Sequence, residues 1–280
     1  MEPWLARAAR MRGDRVALAT PGESSLTYSE LYERARAVGG GLRERGVGPG
    51  DRVALALPGR QLVPALHGCL LVGAVAMPID LRLGAAERTA RLQAARLVLQ
   101  APIEGEPAAA DHDAEPGETA TLMFTSGTTA GPKPVALSYE NWRWNAIGSM
   151  IALGLDEDER WLCPMPLAHV GGLSIQIRSA IYGTTVLLHE RFDADRMLAA
   201  LMDPGERVTL VSMVPTMLSR LLDAGLREPP ALRRVLLGGG RIAPALVANG
   251  RAASSPVSPP LGMNETCSKI ATEGLPLFGA

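Results

Sequence analysis

The sequence predicts an α/β fold of wound, mostly parallel sheets with helices on both faces. Two features carry that expectation. Apolar strand-like runs alternate with helical stripes along most of the chain, and the run Leu122-Met-Phe124 leads into a loop of hydroxyl residues and glycines closed by Lys133. In such sheets ligands gather at the carboxyl ends of strands, where that loop falls.

The elements follow in order. Thr27 or Ser29 can cap a helix whose apolar positions Leu31, Ala35, Val38 and Leu42 share one stripe. The turn Gly46-Val-Gly-Pro-Gly50 releases it into a strand at Arg52 to Leu57. Another helix leads to a strand at Ala74 to Met77, and a third, around Ala85 to Ala95, to a short strand at Leu97 to Gln100. Ala101 to Glu118, rich in proline, alanine and acids, reads as a loop or linker between a first α/β subdomain at 1–100 and a second at 119–280. Ser138 can then cap a helix through Trp142 and Ile147. Strands are expected at Trp161 to Cys163, Thr185 to Leu188, Val208 to Val211 and Val235 to Leu237, with a helix at Ala194 to Met202.

Composition is that of a globular enzyme core: 280 residues, 47% hydrophobic, 20% charged, formal net charge −1. A balance so near neutrality gives no footprint for nucleic acid. The longest apolar candidate, Val63 to Ile79, contains His67 and two prolines, so it reads as a buried helix and strand rather than a membrane span. Arg7, Arg10, Arg12 and Arg15 lack the apolar core of a signal peptide, and a cytoplasmic location is expected. Cys69, Cys163 and Cys267 are odd in number and far apart, which fits buried thiols and neither disulfides nor a Cys-x-x-Cys metal site.

The loop from Thr125 to Lys133 carries the chemistry. Gly127 and Gly131 can leave backbone N–H groups open to an anion, Thr125, Ser126, Thr128 and Thr129 offer hydroxyl donors, and Lys133 offers a cation. These parts suit a triphosphate and chemistry driven by ATP; the alternative is a surface turn of small residues. The spacing is not that of a Walker A loop, because Pro132 and Pro134 flank the lysine and no helix can start directly behind it.

On these residues the chain resembles the adenylate-forming superfamily, the acyl-CoA synthetases and their relatives, whose phosphate loop reads Thr-Ser-Gly-Thr-Thr-Gly-x-Pro-Lys. Ala130 and Pro134 replace glycines of that pattern. The resemblance continues, in the family's order, through Pro166-Leu-Ala-His-Val-Gly-Gly-Leu173, Val214-Pro-Thr-Met-Leu218, Gly238-Gly-Gly240 and Leu261-Gly-Met-Asn-Glu265. It begins with Trp4-Leu-Ala-Arg7, the family's first helix, and Asp14-Arg-Val-Ala17.

The resemblance implies ATP, Mg2+ and CoA as cofactor and co-substrates, with Thr128, Lys133 and Glu265 in catalytic roles. It places Thr125 to Thr129, Lys133, Gly238, Gly239, Gly240, Gly262 and Asn264 against the nucleotide, and Glu265 on magnesium. His169 is implied as a gate between the nucleotide and acyl pockets, with Gly171, Gly172 and Gly239 lining the acyl side; a lone histidine is more often structural, and the two glycines, which allow close backbone approach by a ligand, favour the gate. The glycines at 238–240 could likewise be a plain strand-ending turn.

Arg178 sits in the apolar run Leu173 to Ile181, so burial is expected, and a buried guanidinium needs an anion. That anion is either a protein carboxylate or a carboxylate of the substrate. The segment Gly172-Leu-Ser-Ile-Gln-Ile-Arg-Ser-Ala-Ile-Tyr-Gly183 looks like the form found in the o-succinylbenzoate-CoA ligases of menaquinone biosynthesis, whose substrate has a second carboxylate left to recognise.

Departures qualify the implied activity. Leu261 replaces a stacking tyrosine, Asn264 replaces a phosphate-facing threonine, and after Ala280 there is no ribose-binding aspartate, hinge or small C-terminal domain with its adenylation lysine. A truncated family member is therefore expected, binding ATP weakly and forming little or no CoA ester. Other aryl- or fatty-acyl-CoA ligases, or a non-catalytic nucleotide- or acyl-binding fragment, are the alternatives; oligomeric state is left open.

Overall fold

The computed structural model describes residues 1–110, 112–125, 133–253, 255–263 and 267–272. Among them the chain runs α1 (Trp4–Arg12), β1 (Val16–Ala19), β2 (Leu26–Thr27), α2 (Tyr28–Glu44), β3 (Arg52–Leu55), α3 (Gly59–Leu71), β4 (Val75–Pro78), α4 (Ala85–Leu92) and β5 (Leu97–Leu99). After a stretch without helix or strand come β6 (Thr119–Phe124), β7 (Pro134–Ser138), α5 (Tyr139–Leu153), β8 (Arg160–Cys163), α6 (Val170–Tyr182), β9 (Thr185–Leu188), α7 (Ala194–Met202) and β10 (Leu210–Met213). Then follow α8 (Pro215–Asp223), β11 (Arg234–Leu237), α9 (Pro244–Ala252), β12 (Val257–Ser258), β13 (Pro260–Met263) and β14 (Ser268–Thr272).

These strands form two principal sheets. One has the order β12-β11-β10-β8-β9-β1-β2 and is parallel except for the β1–β2 hairpin; the other has the order β5-β3-β4-β6-β7 and is parallel except for β6–β7. A small antiparallel pair, β13–β14, completes the set. The expected wound, mostly parallel α/β architecture is present. Strands from before and after the 101–118 segment share each sheet, because β1 and β2 join β8 to β12, while β3 to β5 join β6 and β7.

Local sequence explains the helix starts. Thr27, not Ser29, caps α2: its hydroxyl accepts from the Glu30 backbone while the Glu30 carboxylate accepts from the Thr27 backbone, a reciprocal capping box. Ser138 and Asn141 build the same box at the start of α5. The 101–118 segment is held along α2, with the Gly105 and Ala108 backbones donating to the carbonyls of Ala37 and Arg36. It can lie that close because a Cβ on Gly40 would fall 1.8 Å from the Glu106 carbonyl oxygen.

The main core gathers α1, α2 and α3 with α5 and α6 between the sheets, around fully buried Trp142, Trp161 and Tyr28. Val63 to Ile79 is the expected buried helix and strand, α3 and β4, and no helix among the described residues is long and apolar enough to cross a membrane. All three cysteines are free and buried. The strand expected at Val208 to Val211 instead spans Leu210 to Met213. Backbone pairing with β8 and β11 sets its limits, and the apolar Val208 packs just before it.

Candidate active site

Strand register sets several of the candidate segments at the carboxyl ends of their sheets. In the larger sheet Cys163 pairs with Leu188 and Met213 with Leu237, so the segments leaving β8, β10 and β11 depart together from the carboxyl ends. These segments carry His169, Val214-Pro215 and Gly238-Gly-Gly240. In the smaller sheet Ala76 of β4 pairs with Thr121 of β6, and equal steps along both strands bring Asp80 level with Thr125.

The two edges meet at His169. Its Nε2 lies 3.2 Å from an Asp80 carboxylate oxygen and 3.4 Å from Nη2 of Arg82. Arg82 grips the same carboxylate with Nε and Nη2 at 2.9 and 2.7 Å, and its backbone N–H donates to it as well. That grip holds the Asp80 carboxyl well below the usual carboxylate range, against the opposing effect of burial. Neither Asp80 nor Arg82 stood out in the sequence. The signal available was a carboxylate placed two residues past an apolar strand, at the end where ligands gather.

The phosphate-loop candidates are only partly within view. Thr125 is half-buried just after β6, its N–H donating to the carbonyl of exposed Lys133 at 3.0 Å, which extends the β6–β7 pairing by one bond. Ser126, Gly127, Thr128 and Thr129 lie outside the described residues, as do Asn264 and Glu265. Gly262 falls in β13, opposite Lys269 of β14.

Gly239 has φ +77°, a conformation that favours glycine, and with Gly240 it is exposed to solvent. Gly171 and Gly172 are not an open backbone face but the first turn of α6. A Cβ on Gly172 would meet the carbonyl oxygens of Pro166 and Met165 at 2.5 and 2.7 Å, so that glycine serves packing of the 165–166 turn.

Arg178 projects from α6 into the interior and is 1% exposed. Its Nε donates to Oδ1 of Asn145 at 2.7 Å, its guanidinium lies over the Trp161 ring at 5.5 Å, and its Nη2 is buried with no partner among the described residues. Asn145, in turn, donates from Nδ2 to the Cys267 carbonyl. Burial lowers the Arg178 pKa to about 10, so it stays charged at neutral pH. Of the two anions the sequence allowed, the protein carboxylate is not found among the described residues; a half-used guanidinium is. The Cys163 and Cys267 thiols are pushed up to about 12 by burial, which removes them as nucleophiles near neutrality.

The family model described as AMP-binding enzyme matches residues 5–101 and 95–277. A 2-succinylbenzoate–CoA ligase of Bacillus licheniformis is 39% identical over 96% of this chain and 61% of its own length. The o-succinylbenzoate coenzyme A synthetase of Bacillus subtilis in complex with ATP and magnesium ion superposes with a TM-score of 0.89 at 32% identity, covering 98% of this chain and 62% of that one. The same Bacillus subtilis enzyme with the acyl-adenylate intermediate OSB-AMP gives a TM-score of 0.89 at 33% identity, over 98% and 61%. The chain thus spans about three fifths of the length of these relatives. By the extent of the family match, the chain belongs to the AMP-binding enzyme family.

Proposed function

We propose that this chain forms the nucleotide- and acid-binding part of an o-succinylbenzoate–CoA ligase acting in the cytoplasm. A carboxylate oxygen of the acid attacks the α-phosphorus of ATP, the bond to pyrophosphate breaks, and an acyl-adenylate results. The sulfur of CoA, losing its proton, then attacks the acyl carbon and AMP leaves. Thr125 to Thr129 and Lys133 hold the phosphates, and Gly238 to Gly240, Gly262 and Asn264 face the nucleotide. His169 borders the acid.

Magnesium on the triphosphate would neutralise its charge, and Glu265 is the residue we assign to hold it. A metal carried on substrate phosphates asks the protein for one or two carboxylates rather than a cage.

The choice of acid rests on Arg178. A buried guanidinium with Nη2 unpartnered among the described residues suits the second carboxylate of a dicarboxylic substrate, and similarity to 2-succinylbenzoate–CoA ligases supports the same acid. Calorimetric titration of the purified chain tests the reading. Lys133→Ala should weaken ATP-magnesium binding by about tenfold, a lost charge-assisted contact, and Arg178→Ala should erase the preference for o-succinylbenzoate over a monocarboxylate. An unchanged preference in Arg178→Ala would remove the assignment of the acid.

A further inference from the structure

We infer that Asn145 is a positioning residue that decides which edge of the Arg178 guanidinium meets the substrate carboxylate; this rests on the reading of Arg178 above. A carboxylate can engage arginine side-on through Nε and Nη2, or end-on through Nη1 and Nη2. Oδ1 of Asn145 already accepts from Nε at 2.7 Å, which closes the side-on fork and leaves the end-on fork, where Nη2 has no partner among the described residues.

The amide is itself fixed. Its Nδ2 donates to the Cys267 carbonyl, so Oδ1 and Nδ2 cannot exchange places without setting donor against donor and acceptor against acceptor. Trp161 covers one face of the guanidinium, and its own Nε1–H donates to Ser212 Oγ at 3.1 Å, which keeps the ring in place. The arginine therefore meets its ligand as an oriented plane. Through the Cys267 carbonyl the same amide ties the guanidinium to the residue that precedes β14.

The test measures binding of o-succinylbenzoate, and of the two monocarboxylate analogues that each lack one of its carboxyl groups, to the purified 280-residue chain. In Asn145→Asp a carboxylate of the protein occupies Nε and neutralises the guanidinium. Binding of the dicarboxylate should fall by about tenfold or more, while the monocarboxylate lacking the Arg178-directed group stays within about twofold. Asn145→Ala, which frees Nε without adding charge, should give a smaller loss with the same selectivity. A purely structural asparagine would lower affinity for all three acids together, and that outcome overturns the proposal.

If Asn145→Asp does not fold, Asn145→Ala and nitrogen NMR of the wild-type side chain decide. On adding o-succinylbenzoate the Arg178 Nη signals should shift while its Nε–H signal stays; a displaced Nε–H overturns the proposal. Loss of discrimination in Arg178→Ala with none in the Asn145 variants removes the role of Asn145 alone. Retained discrimination in Arg178→Ala, or no binding of the dicarboxylate by wild type, removes both readings.

Discussion

The carboxylate of Asp80 lies 3.2 Å from Nε2 of His169 and thereby joins the carboxyl edges of two sheets whose strands never pair. Asp80 is 8% exposed, whereas Arg82 and His169 are 67% and 48% exposed. Asp80→Asn should cost about 1–2 kcal/mol, less than breaking a wholly buried pair, because both partners can turn to water. The carboxylate's contribution is present above its unfolded pKa and is lost as pH falls towards its depressed folded value. Denaturant melts at neutral pH check the size; an unchanged midpoint would mean the clamp contributes nothing.

Gly171 and Gly172 separate two kinds of crowding. The Cβ of Gly172→Ala would press on backbone carbonyls, which cannot move without unwinding the turn, whereas that of Gly171→Ala would meet the Met165 methyl at 2.8 Å, the end of a flexible side chain. Gly172→Ala should therefore destabilise by about 2–3 kcal/mol and Gly171→Ala by under about 1 kcal/mol. Equal thermal shifts in the two variants would contradict this.

The two capping boxes give a third expectation. Thr27→Ala and Ser138→Ala each remove a hydroxyl acceptor from the first turn of a long helix and should cost about 1 kcal/mol apiece. With separate helices affected, the double variant should show the sum within about 0.5 kcal/mol in equilibrium unfolding.

His67 sets a pH limit. Burial in α3 lowers its pKa from 6.5 to about 4, so the unfolded chain binds the proton more readily between those values. Stability should fall as pH drops from 6.5 towards 4, by up to roughly 3 kcal/mol from this group. His67→Leu should flatten that slope, as urea midpoints across the same range would reveal; His189, also lowered by burial, contributes in the same sense.

Much of the fold was legible because its signals are local. Both caps, the helix at Ala194 to Met202 and the strand at Thr185 to Leu188 follow from hydroxyl placement and apolar period alone. Strand β7 escaped because Pro134 reads as a break. It is tolerated there because β7 is the outer strand of its sheet, where a missing N–H need cost no ladder bond. Arg178 was legible as a buried charge. Asn145 was not, since an asparagine inside a helix carries no sign of what its amide will meet.

The sequence by itself determined the alternation of strands and helices and the burial of Arg178, since each depends on neighbours a few residues away. Only the tertiary structure decided that Asp80 would hold His169, that Asn145 would hold Arg178, and that Gly172 would be filled by Pro166. Those contacts join residues brought together by sheet register and helix packing, and a hydrogen bond of about 3 Å depends on an alignment that no local pattern encodes.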